Sequence, residues 1–408
     1  MTSRRNLIKS LSLLPLAGAL KPDFFIKKNS ASELPKSAKR DYFKELGVRT
    51  FINAAGTYTF MTGSLMREEV KNAYIATSYD FVNYHELQDK VGARLAELLD
   101  CEAATVTSGA AAAITLGTAG TLTGLDPEKA GMLPHLDGTG MKTEVIMQRK
   151  HAIEYAQAIE NCGVKVVYVD TAKELEKAIN KNTAMYYFVN FLNYEGEIQW
   201  QEVLDICQKH GVPTMIDCAA DVPPIENLFR FQRMGFDMVC FSGGKGLRGP
   251  QSTGILMGKK KYIDAARLNA PPFGDTIGRG MKVNKEEIVG MLAAVEDFLS
   301  RDHEADWKLW EGQINLVQNA IKDFEGMNTE IKVPELANVV PTLHLNWDTS
   351  KIPISGDELK EEMRNGHPSI EIAGGGKNSV SITTWMLKPG QERVVASRLN
   401  EILTQKTT

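Results

Sequence analysis

The sequence predicts an α/β protein with a large, doubly wound, mostly parallel sheet domain and a small C-terminal α+β domain. Short apolar runs alternate with amphipathic stretches along most of the chain, as they do in strand–helix–strand units. Side chains able to do chemistry stand where these runs end, and such ends are where parallel sheets bind ligands. A Pro/Gly-rich break at 270–279 precedes a C-terminal part with a different order of elements.

The composition is that of a globular enzyme. The chain has 408 residues, of which 43% are hydrophobic and 24% charged, so it can bury a large core. Residues 1–40 hold nine of the 47 basic and two of the 51 acidic side chains, which leaves 38 against 49 and a net charge of −11 on the remainder. So acidic a body argues against nucleic acid as a partner.

Residues 1–19 resemble a twin-arginine export signal. Arg4 and Arg5 precede a modest apolar run, and Ala17-Gly18-Ala19 forms a small-x-small cleavage site. The apolar run is too short to span a membrane. We therefore expect export to the periplasm, with residues 20–40 as a polar linker. The alternative is a basic amphipathic start on a cytoplasmic protein.

Residues 41–60 are expected to form an N-terminal arm and residues 61–270 the large domain. Apolar runs and amphipathic periodicity predict the elements of that domain. The expected helices are 86–99, a long alanine-rich one from 109, 151–160, 173–179 and 202–209, and the expected strands are 104–107, 145–147, 164–169, 184–189, 214–216, 238–241 and 253–257.

Residues 271–300 are expected to form the interdomain link and a helix, and residues 301–408 the small domain. Its predicted strands include 342–346, 370–373 and 380–383. Gly374-Gly375-Gly376 is expected to be a hairpin loop and not a phosphate motif, because no helix follows it. The five cysteines show no Cys-x-x-Cys spacing and lie mostly in apolar runs, so we expect buried thiols, with neither a disulfide framework nor a metal site.

The loop from Ser242 to Gln251 places Lys245 among four glycines, between two apolar strands. Glycine lets a backbone turn sharply and approach a bulky ligand closely. A lysine held between apolar strands loses its proton more easily than a solvated one and can attack a carbonyl carbon. The alternative is a surface hairpin with a solvated lysine.

Two further stretches favour the chemical interpretation. Asp217 ends an apolar strand, where it could form a structural ion pair with the lysine or keep the ring nitrogen of pyridoxal phosphate protonated. Ser108-Gly109-Ala110 turns from a strand into a helix, whose first N–H groups can bind a phosphate. Each motif alone is weak evidence for a pyridoxal-phosphate site. Their order along a chain of alternating strands and helices makes the combined evidence strong.

These motifs resemble the fold-type I pyridoxal-phosphate enzymes, which have an aminotransferase-like fold. More narrowly, they resemble the branch that contains selenocysteine synthase and the D-glucosaminate-6-phosphate ammonia-lyase-like proteins. The resemblance extends from about Tyr42 to the C-terminus. The motifs that carry it are Phe241–Lys245 with Gly249-Pro250-Gln251, the Asp217 strand with Pro223-Pro224, Ser108–Ala110, and Gly278–Glu287.

The resemblance implies that pyridoxal 5′-phosphate is the cofactor, bound to Lys245 as a Schiff base. It also implies roles for other residues at the site. These are Asp217 on the ring nitrogen, Ser108, Gly109, Ala110 and Ser242 on the phosphate, and the ring of His151 stacked on the pyridine face. For His151 the alternative is a helix-capping or solvated histidine.

Arg279 is the residue best suited to a substrate carboxylate, because its guanidinium pairs with carboxylates in a two-pronged geometry. A salt bridge at the rim is the alternative. Asn53, Thr57 and Tyr84 are expected to contact substrate hydroxyls. In the resembled family the N-terminal segment lies across the mouth of the active site, often that of a partner subunit. We therefore expect a homodimer or a higher homo-oligomer, and the alternative for this segment is a plain loop.

The resemblance implies a lyase that eliminates water and ammonia from a 2-amino-3-hydroxy acid, an amino sugar acid such as D-glucosaminate, to give a 2-keto-3-deoxy acid. A transferase or racemase of the selenocysteine synthase type is the alternative, although the acidic body disfavours tRNA as a substrate. A non-catalytic cofactor-binding protein is a third possibility, disfavoured because the chain has both Lys245 and Asp217.

Overall fold

The computed structural model describes residues 40–407. The helices within this range are α1 Tyr42–Glu45, α2 Glu68–Ala76, α3 Tyr84–Leu98, α4 Gly109–Thr123, α5 Pro127–Met132, α6 Gln157–Glu160, α7 Ala172–Ala178, α8 Trp200–His210, α9 Asn227–Met234, α10 Lys260–Leu268, α11 Lys285–Ser300, α12 His303–Asn319, α13 Gly356–Asn365 and α14 Gln391–Thr407. The strands are β1 Phe51–Ala54, β2 Ala103–Thr107, β3 Glu144–Gln148, β4 Lys165–Val169, β5 Thr183–Val189, β6 Thr214–Asp217, β7 Met238–Ser242, β8 Gly254–Gly258, β9 Met327–Lys332, β10 Thr342–Trp347, β11 Ser369–Gly374 and β12 Ser379–Thr383.

The larger sheet of the described chain has the order β2-β8-β7-β6-β5-β3-β4. Strands β3 to β7 run parallel, whereas β8 runs antiparallel to both β2 and β7. This is the expected doubly wound, mostly parallel sheet. Because β8 returns directly from β7, the loop between them lies at the edge where the parallel strands end.

Helices cover both faces of this sheet. All seven residues of β5 are buried, and from Met185 to Val189 they alternate between two cores. Tyr186 and Phe188 join a core with helices α3, α8 and α11, whereas Tyr187 and Val189 join a core with α4, α6 and α10. A strand covered on both faces reads as a continuous apolar run, which is why the sequence predicts these strands well.

The second sheet has the order β1-β11-β12-β10-β9. Its strands are antiparallel except for β1, which pairs in parallel with β11. One face packs on α12, α13 and α14. Alternate residues of β10 are buried, as expected for a sheet with one covered face. Gly374–Gly376 lies between antiparallel β11 and β12, as the sequence predicts.

The N-terminal arm predicted over residues 41–60 contains a short helix, a strand and the start of the 3₁₀ turn Thr59–Met61. Residues 42–45 form the short helix α1, which Asp41 caps by accepting from the N–H of Lys44 at 3.0 Å. Residues 51–54 form β1 in the second sheet, a strand that the sequence does not reveal because its partner β11 lies more than 300 residues away. The expected export signal, residues 1–19, and nearly all of the linker lie outside the described residues.

The helix predicted over 151–160 is wrong at its start. Residues 149–151 form a 3₁₀ turn and the chain is extended at Ile153, so the helical segment begins only with the 3₁₀ turn Glu154–Ala156 and continues as α6. The cause is His151, whose ring turns inward and hydrogen-bonds to the backbone of residues 189 and 192. The local amphipathic pattern of the sequence cannot predict such long-range hydrogen bonds.

All five cysteines are free thiols, and all except the half-buried Cys101 are buried. Within residues 40–407, the helices lack the combination of length and apolar character that a membrane crossing requires.

Candidate active site

The loop that carries Lys245 is folded tightly on itself. The N–H of Gly243 donates to the carbonyl oxygen of Thr253, and that of Gly249 donates to the carbonyl oxygen of Gly243, both at 2.8 Å. A Cβ atom at Gly244 would lie 2.6 Å from the α-carbon of Gln251. These positions require glycine because other parts of the backbone occupy the space of a side chain.

Residues 59–65 hold this loop from outside. The N–H of Ser64 donates to the carbonyl oxygen of Gly244 at 2.9 Å, and Arg248 Nε donates to the carbonyl oxygen of Leu65 at 3.1 Å. Gln251 Nε2 reaches the carbonyl oxygen of Thr59 at 3.3 Å. The lysine loop is therefore braced by a segment almost 200 residues earlier in the chain.

Asp217 ends β6 with its carboxylate oriented by three donors, one of which is the thiol of Cys240 at 3.7 Å from Oδ1. The hydroxyl of Tyr187 donates to Oδ2 and the N–H of Ala219 donates to Oδ1, both at 2.9 Å. Burial raises the pKa of Tyr187 well above its ordinary value, and the nearby Asp217 adds to the rise, so the hydroxyl keeps its proton and remains a donor. The carboxylate is 7% exposed and fixed in direction, as a partner for a ring nitrogen must be.

The loops of Lys245 and Asp217 are in direct contact. A Cβ atom at Gly246 would overlap the carbonyl oxygen of Val222, which belongs to the loop that follows Asp217. The Lys245 ammonium is close enough to lower the pKa of the Cys240 thiol, whose dominant shift is a rise caused by burial. Among residues 40–407 we find no hydrogen bond or salt bridge to Lys245 Nζ, so this amine is available to a ligand.

The start of α4 lies over the neighbouring strand β8. Gly254 pairs with Thr107 on one side and with Ser242 on the other, which brings the two predicted phosphate-binding segments together. A Cβ atom at Gly254 would lie 2.5 Å from the carbonyl carbon of Gly109 and 2.8 Å from the nitrogen of Ala110. The Ser108 side chain makes no capping hydrogen bond, so the first N–H groups of α4 remain open to an anion.

These features fit pyridoxal phosphate. The uncapped start of α4 suits its phosphate, the unpaired amine of Lys245 suits its aldehyde, and the oriented carboxylate of Asp217 suits its ring nitrogen. Asp217 on β6 and Gly254 on β8 are separated in the sheet by β7 alone, so the carboxylate and the phosphate-binding segments lie at the same end of neighbouring strands.

His151 is 0% exposed, and both of its ring nitrogens face the backbone. Nδ1 accepts from the N–H of Val189 at 3.2 Å, which leaves the proton on Nε2 to donate to the carbonyl oxygen of Leu192, also at 3.2 Å. The ring meets Phe188 edge-on. Burial lowers the pKa of His151 to about 4, so it is neutral. The arrangement favours a supporting role, and stacking on the cofactor stays a prediction.

In the described chain the proposed substrate residues make no hydrogen bond or salt bridge with Lys245 or Asp217. The Asn53 amide is used locally, since its Oδ1 accepts from the N–H groups of residues 55 and 56 and its Nδ2 donates to the carbonyl oxygen of residue 56. Thr57 is buried, and Tyr84 lines a small cavity behind β2. Arg279 is exposed in a 3₁₀ turn that packs on the middle of α4.

The structure adds a residue that the sequence analysis missed. Asp221 lies four residues after Asp217, is 1% exposed, and interacts electrostatically with both Asp217 and Lys245. A second carboxylate four residues after the first, both following one strand, is the signal that could have identified it.

A cavity of about 510 Å³ lies at the opposite edge of the large sheet, where β6 and β7 begin. Its lining includes Thr214, Asp237 and Lys259, and Asp237 is already occupied by hydrogen bonds from Thr214 and a salt bridge from Lys259. None of the residues predicted to bind the cofactor or the substrate lines this cavity, so we place the site at the strand ends around Lys245.

Comparison with known proteins is consistent with this geometry. Residues 89–277, which include Ser108, Asp217 and Lys245, match the aminotransferase class-V family. The chain is 27% identical over 376 residues to a D-glucosaminate-6-phosphate ammonia lyase of Salmonella typhimurium, a match covering 88% of this chain and 97% of the relative. It is also 26% identical over 376 residues to a 5′-C-glycyluridine monooxygenase-decarboxylase of Streptomyces, covering 88% and 92%.

An L-seryl-tRNA(Sec) selenium transferase of Caldanaerobacter subterraneus is 29% identical over 274 residues, a match that covers 61% of this chain and 56% of the relative. Among solved structures, D-glucosaminate-6-phosphate ammonia-lyase superposes with a TM-score of 0.76 at 25% identity, covering 91% of this chain and all of that one. A NifS-like protein shares the fold, with a TM-score of 0.57 at 16% identity and coverage of 87% and 100%.

Proposed function

We propose that this chain, a fold-type I pyridoxal-phosphate enzyme of the selenocysteine synthase and D-glucosaminate-6-phosphate ammonia-lyase-like family, is a carbon–nitrogen lyase. The observation that carries the proposal is the junction of the Lys245 and Asp217 loops through Gly246 and Val222. This backbone contact supports a site in which the amine of Lys245 acts together with the oriented carboxylate of Asp217. A protein that only bound the cofactor would not need both.

Pyridoxal phosphate, when bound, withdraws electrons from the α-carbon of an amino acid and so makes its α proton acidic. Lys245 would hold the aldehyde carbon through Nζ and, once a substrate amine has displaced it, accept the α proton at the same atom. The carboxylate of Asp217 would keep a proton on the ring nitrogen. The N–H groups of Gly109 and Ala110, with the hydroxyls of Ser108 and Ser242, would bind the phosphate.

The reaction that we propose removes water and then ammonia from a 2-amino-3-hydroxy acid such as D-glucosaminate. Loss of the α proton and the β hydroxyl forms a carbon–carbon double bond and one water. The resulting 2-amino-2-enoic acid tautomerises and takes up one water to release ammonia. The product is a 2-keto-3-deoxy acid, so the net change is the loss of ammonia.

The substrate contacts remain part of the proposal. Arg279 would bind the carboxylate, and Asn53, Thr57 and Tyr84 would lie near the hydroxyls. We propose a homodimer or higher homo-oligomer in which a second copy completes the site, because Arg279 is exposed and makes no side-chain hydrogen bond or salt bridge with the described chain. Exposed apolar side chains between residues 58 and 81 support this assembly. They are Tyr58, Phe60, Leu65, Ile75, Tyr79 and Phe81.

We also propose that the protein is exported through a twin-arginine signal in residues 1–19. Arg4 and Arg5 followed by a short apolar run support this. The twin-arginine route carries folded proteins, which suits an enzyme that takes up its cofactor in the cytoplasm.

The test is to incubate the purified protein with pyridoxal phosphate and D-glucosaminate and to measure ammonia and keto acid, with Lys245→Ala as the control. We expect stoichiometric release of both by wild type and none by the variant. Solvent deuterium entering the α position without ammonia would instead indicate a racemase or transferase. Failure of borohydride to fix the cofactor on the Lys245 peptide would refute the assignment of the site.

A further inference from the structure

A second buried carboxylate stands beside the proposed catalytic pair: Asp221 directly precedes Val222 and Lys245 directly precedes Gly246, and the backbones of Val222 and Gly246 are in contact. Asp221 is 1% exposed, and its Oδ1 accepts a hydrogen bond from the N–H of Ala337 at 3.1 Å. Its own carbonyl oxygen accepts from Asn227 Nδ2 at 2.8 Å. Burying a carboxylate costs free energy, so a function would explain the position of Asp221.

Asp221 connects the Asp217 loop to residues 333–341, the segment between β9 and β10. Besides the bond from Ala337, the N–H of Asn338 donates to the carbonyl oxygen of Ala220 at 2.7 Å. Ala337 and Asn338 both adopt left-handed backbone conformations, with φ of 53° and 44°. Such conformations are costly outside glycine and persist where contacts enforce them. The segment is therefore held against the site by these bonds.

The charged and titratable groups that face Asp221 come from several elements. They are Asp217 at the end of β6, Lys245 in the β7–β8 loop and the thiol of Cys218. Arg230 of α9 is close enough to lower the pKa of the Cys218 thiol. Asn190, after β5, faces Asp221 as well. Its Oδ1 accepts from Trp200 Nε1 at 2.9 Å, and its amide group faces the Asp221 carboxylate.

Burial raises the pKa of Asp221 to about 7, and Asp217 adds to the rise. The Asn190 amide, the N–H of Ala337 and the ammonium of Lys245 oppose it. Asp221 therefore changes charge close to neutral pH.

We propose that Asp221 is a positioning residue that stabilises the protonated form of Lys245 and anchors residues 333–341 beside the site. This inference rests on the proposed role of Lys245 as the base. When Lys245 Nζ takes up the α proton, it gains a positive charge within a largely buried pocket. An ionised Asp221 stabilises that charge, whereas a protonated Asp221 does not.

The decisive experiment uses the cofactor-free protein, so it does not depend on lyase activity. Lys245 is labelled with trinitrobenzenesulfonate across a pH series, and its modified peptide is quantified by mass spectrometry. In Asp221→Asn the midpoint of labelling should fall below that of wild type, because a nearby negative charge has been removed. Asp221→Glu should restore the wild-type midpoint. The control is Asp237→Asn, another buried aspartate with a backbone N–H donor, at the far end of β7.

The anchoring role is tested separately by limited proteolysis. Asp221→Asn keeps an oxygen that can accept from the N–H of Ala337, so cleavage within 333–341 should match wild type. Asp221→Ala removes the acceptor, and cleavage there should rise several-fold. Lyase assays of the same variants distinguish a failure of the role proposed for Asp221 from a failure of the lyase assignment. A shifted midpoint in a protein without lyase activity supports the role of Asp221 and refutes only the lyase assignment.

An unshifted midpoint in folded Asp221→Asn, judged by its circular dichroism, would overturn the role of Asp221 even if the enzyme proves to be a lyase. Equal cleavage of wild type and Asp221→Ala would overturn the anchoring role. If Asp221→Asn fails to fold, Asp221→Glu decides, because loss of the wild-type midpoint in that charged variant contradicts the proposal.

Discussion

The α-carbon of Gly246 lies against the carbonyl group of Val222, so closely that a Cβ atom there would overlap the carbonyl oxygen. One residue before Gly246 is the amine proposed to bind the cofactor, and five residues before Val222 is the carboxylate proposed to hold its ring nitrogen. The spacing of these two groups is therefore set by backbone contact, which is far stiffer than contact between flexible side chains.

Gly246→Ala should separate the two loops. Because the opposing atom is backbone, we expect a loss of about 1–3 kcal/mol of stability and a clear loss of cofactor affinity. Gly280→Ala is the matched control, since a Cβ atom there meets nothing within 4 Å. Thermal unfolding and a cofactor titration followed by absorbance measure both effects. Wild-type cofactor affinity in Gly246→Ala would show that this contact does not set the geometry of the site.

Asp217→Asn should keep the covalent link between Lys245 and the cofactor while slowing removal of the α proton by about 100-fold or more, because the ring nitrogen loses its counter-charge. Tyr187→Phe removes only the hydrogen bond to Oδ2, a loss of about 1 kcal/mol, or roughly fivefold in rate. Exchange of the α proton with solvent deuterium measures the step directly. Turnover of Asp217→Asn within a few-fold of wild type would make Asp217 a structural residue.

The strands and the chemically capable loops could be predicted because their signals are local. The strands that lead to Lys245 and Asp217 are buried on both faces, so their sequences are apolar runs. The glycines around Lys245 indicate a tightly folded loop, because the neighbouring backbone leaves no space for side chains there. What the sequence does not reveal depends on long-range contact. Strand β1 forms only by pairing with β11, and the extended chain after His151 follows from its bonds to residues 189 and 192.

His151 should make the protein more sensitive to acid. Its pKa of about 4 lies below the ordinary value of 6.5, so the folded state favours the neutral ring. Its stabilising contribution is complete above pH 6.5 and is lost as the pH falls towards 4, by about 1.4 kcal/mol per pH unit. Relative to wild type, His151→Phe should therefore lack this pH-dependent loss, which thermal unfolding of cofactor-free protein from pH 7 to 4 can measure.

Exposed His135 is the control for that experiment, because His135→Asn removes a side chain that makes no hydrogen bond or ion pair in the described chain. Its unfolding curves should follow wild type throughout. Histidine-selective nitrogen NMR provides an independent check. We expect the His151 resonance to keep the chemical shift of a neutral ring protonated at Nε2 from pH 8 to 5, and titration near pH 6.5 would contradict its burial.

Replacing Arg4 and Arg5 by lysine should leave the precursor in the cytoplasm, because the twin-arginine route reads the arginine pair and not simply positive charge. Cell fractionation with antibody detection measures this, and N-terminal sequencing of the exported wild type should find a start near Leu20. Unchanged fractionation of the variant would show that the arginine pair is incidental.

The last prediction concerns the phosphorylation of the substrate. The similar Salmonella protein is named for a 6-phosphorylated acid, but kinases and ATP are cytoplasmic, and an exported enzyme would not meet their products. Three arginines do lie together in the described chain, but two of them are already paired with carboxylates, which disfavours their use for a distal phosphate. Asp297 pairs with Arg67 at 3.1 Å and Arg301 pairs with Asp306 at 3.3 Å, both beside Arg248.

We therefore expect kcat/KM to be higher for D-glucosaminate than for its 6-phosphate, with Arg279 on the carboxylate of either acid. Arg279→Lys should lower kcat/KM for both by a similar factor, since it removes the two-pronged pairing without touching the sixth carbon. The ratio of the two efficiencies in wild type is the measurement that decides. A preference of more than about tenfold for the phosphorylated acid, roughly 1.4 kcal/mol of transition-state binding, would refute the prediction and count against export as well.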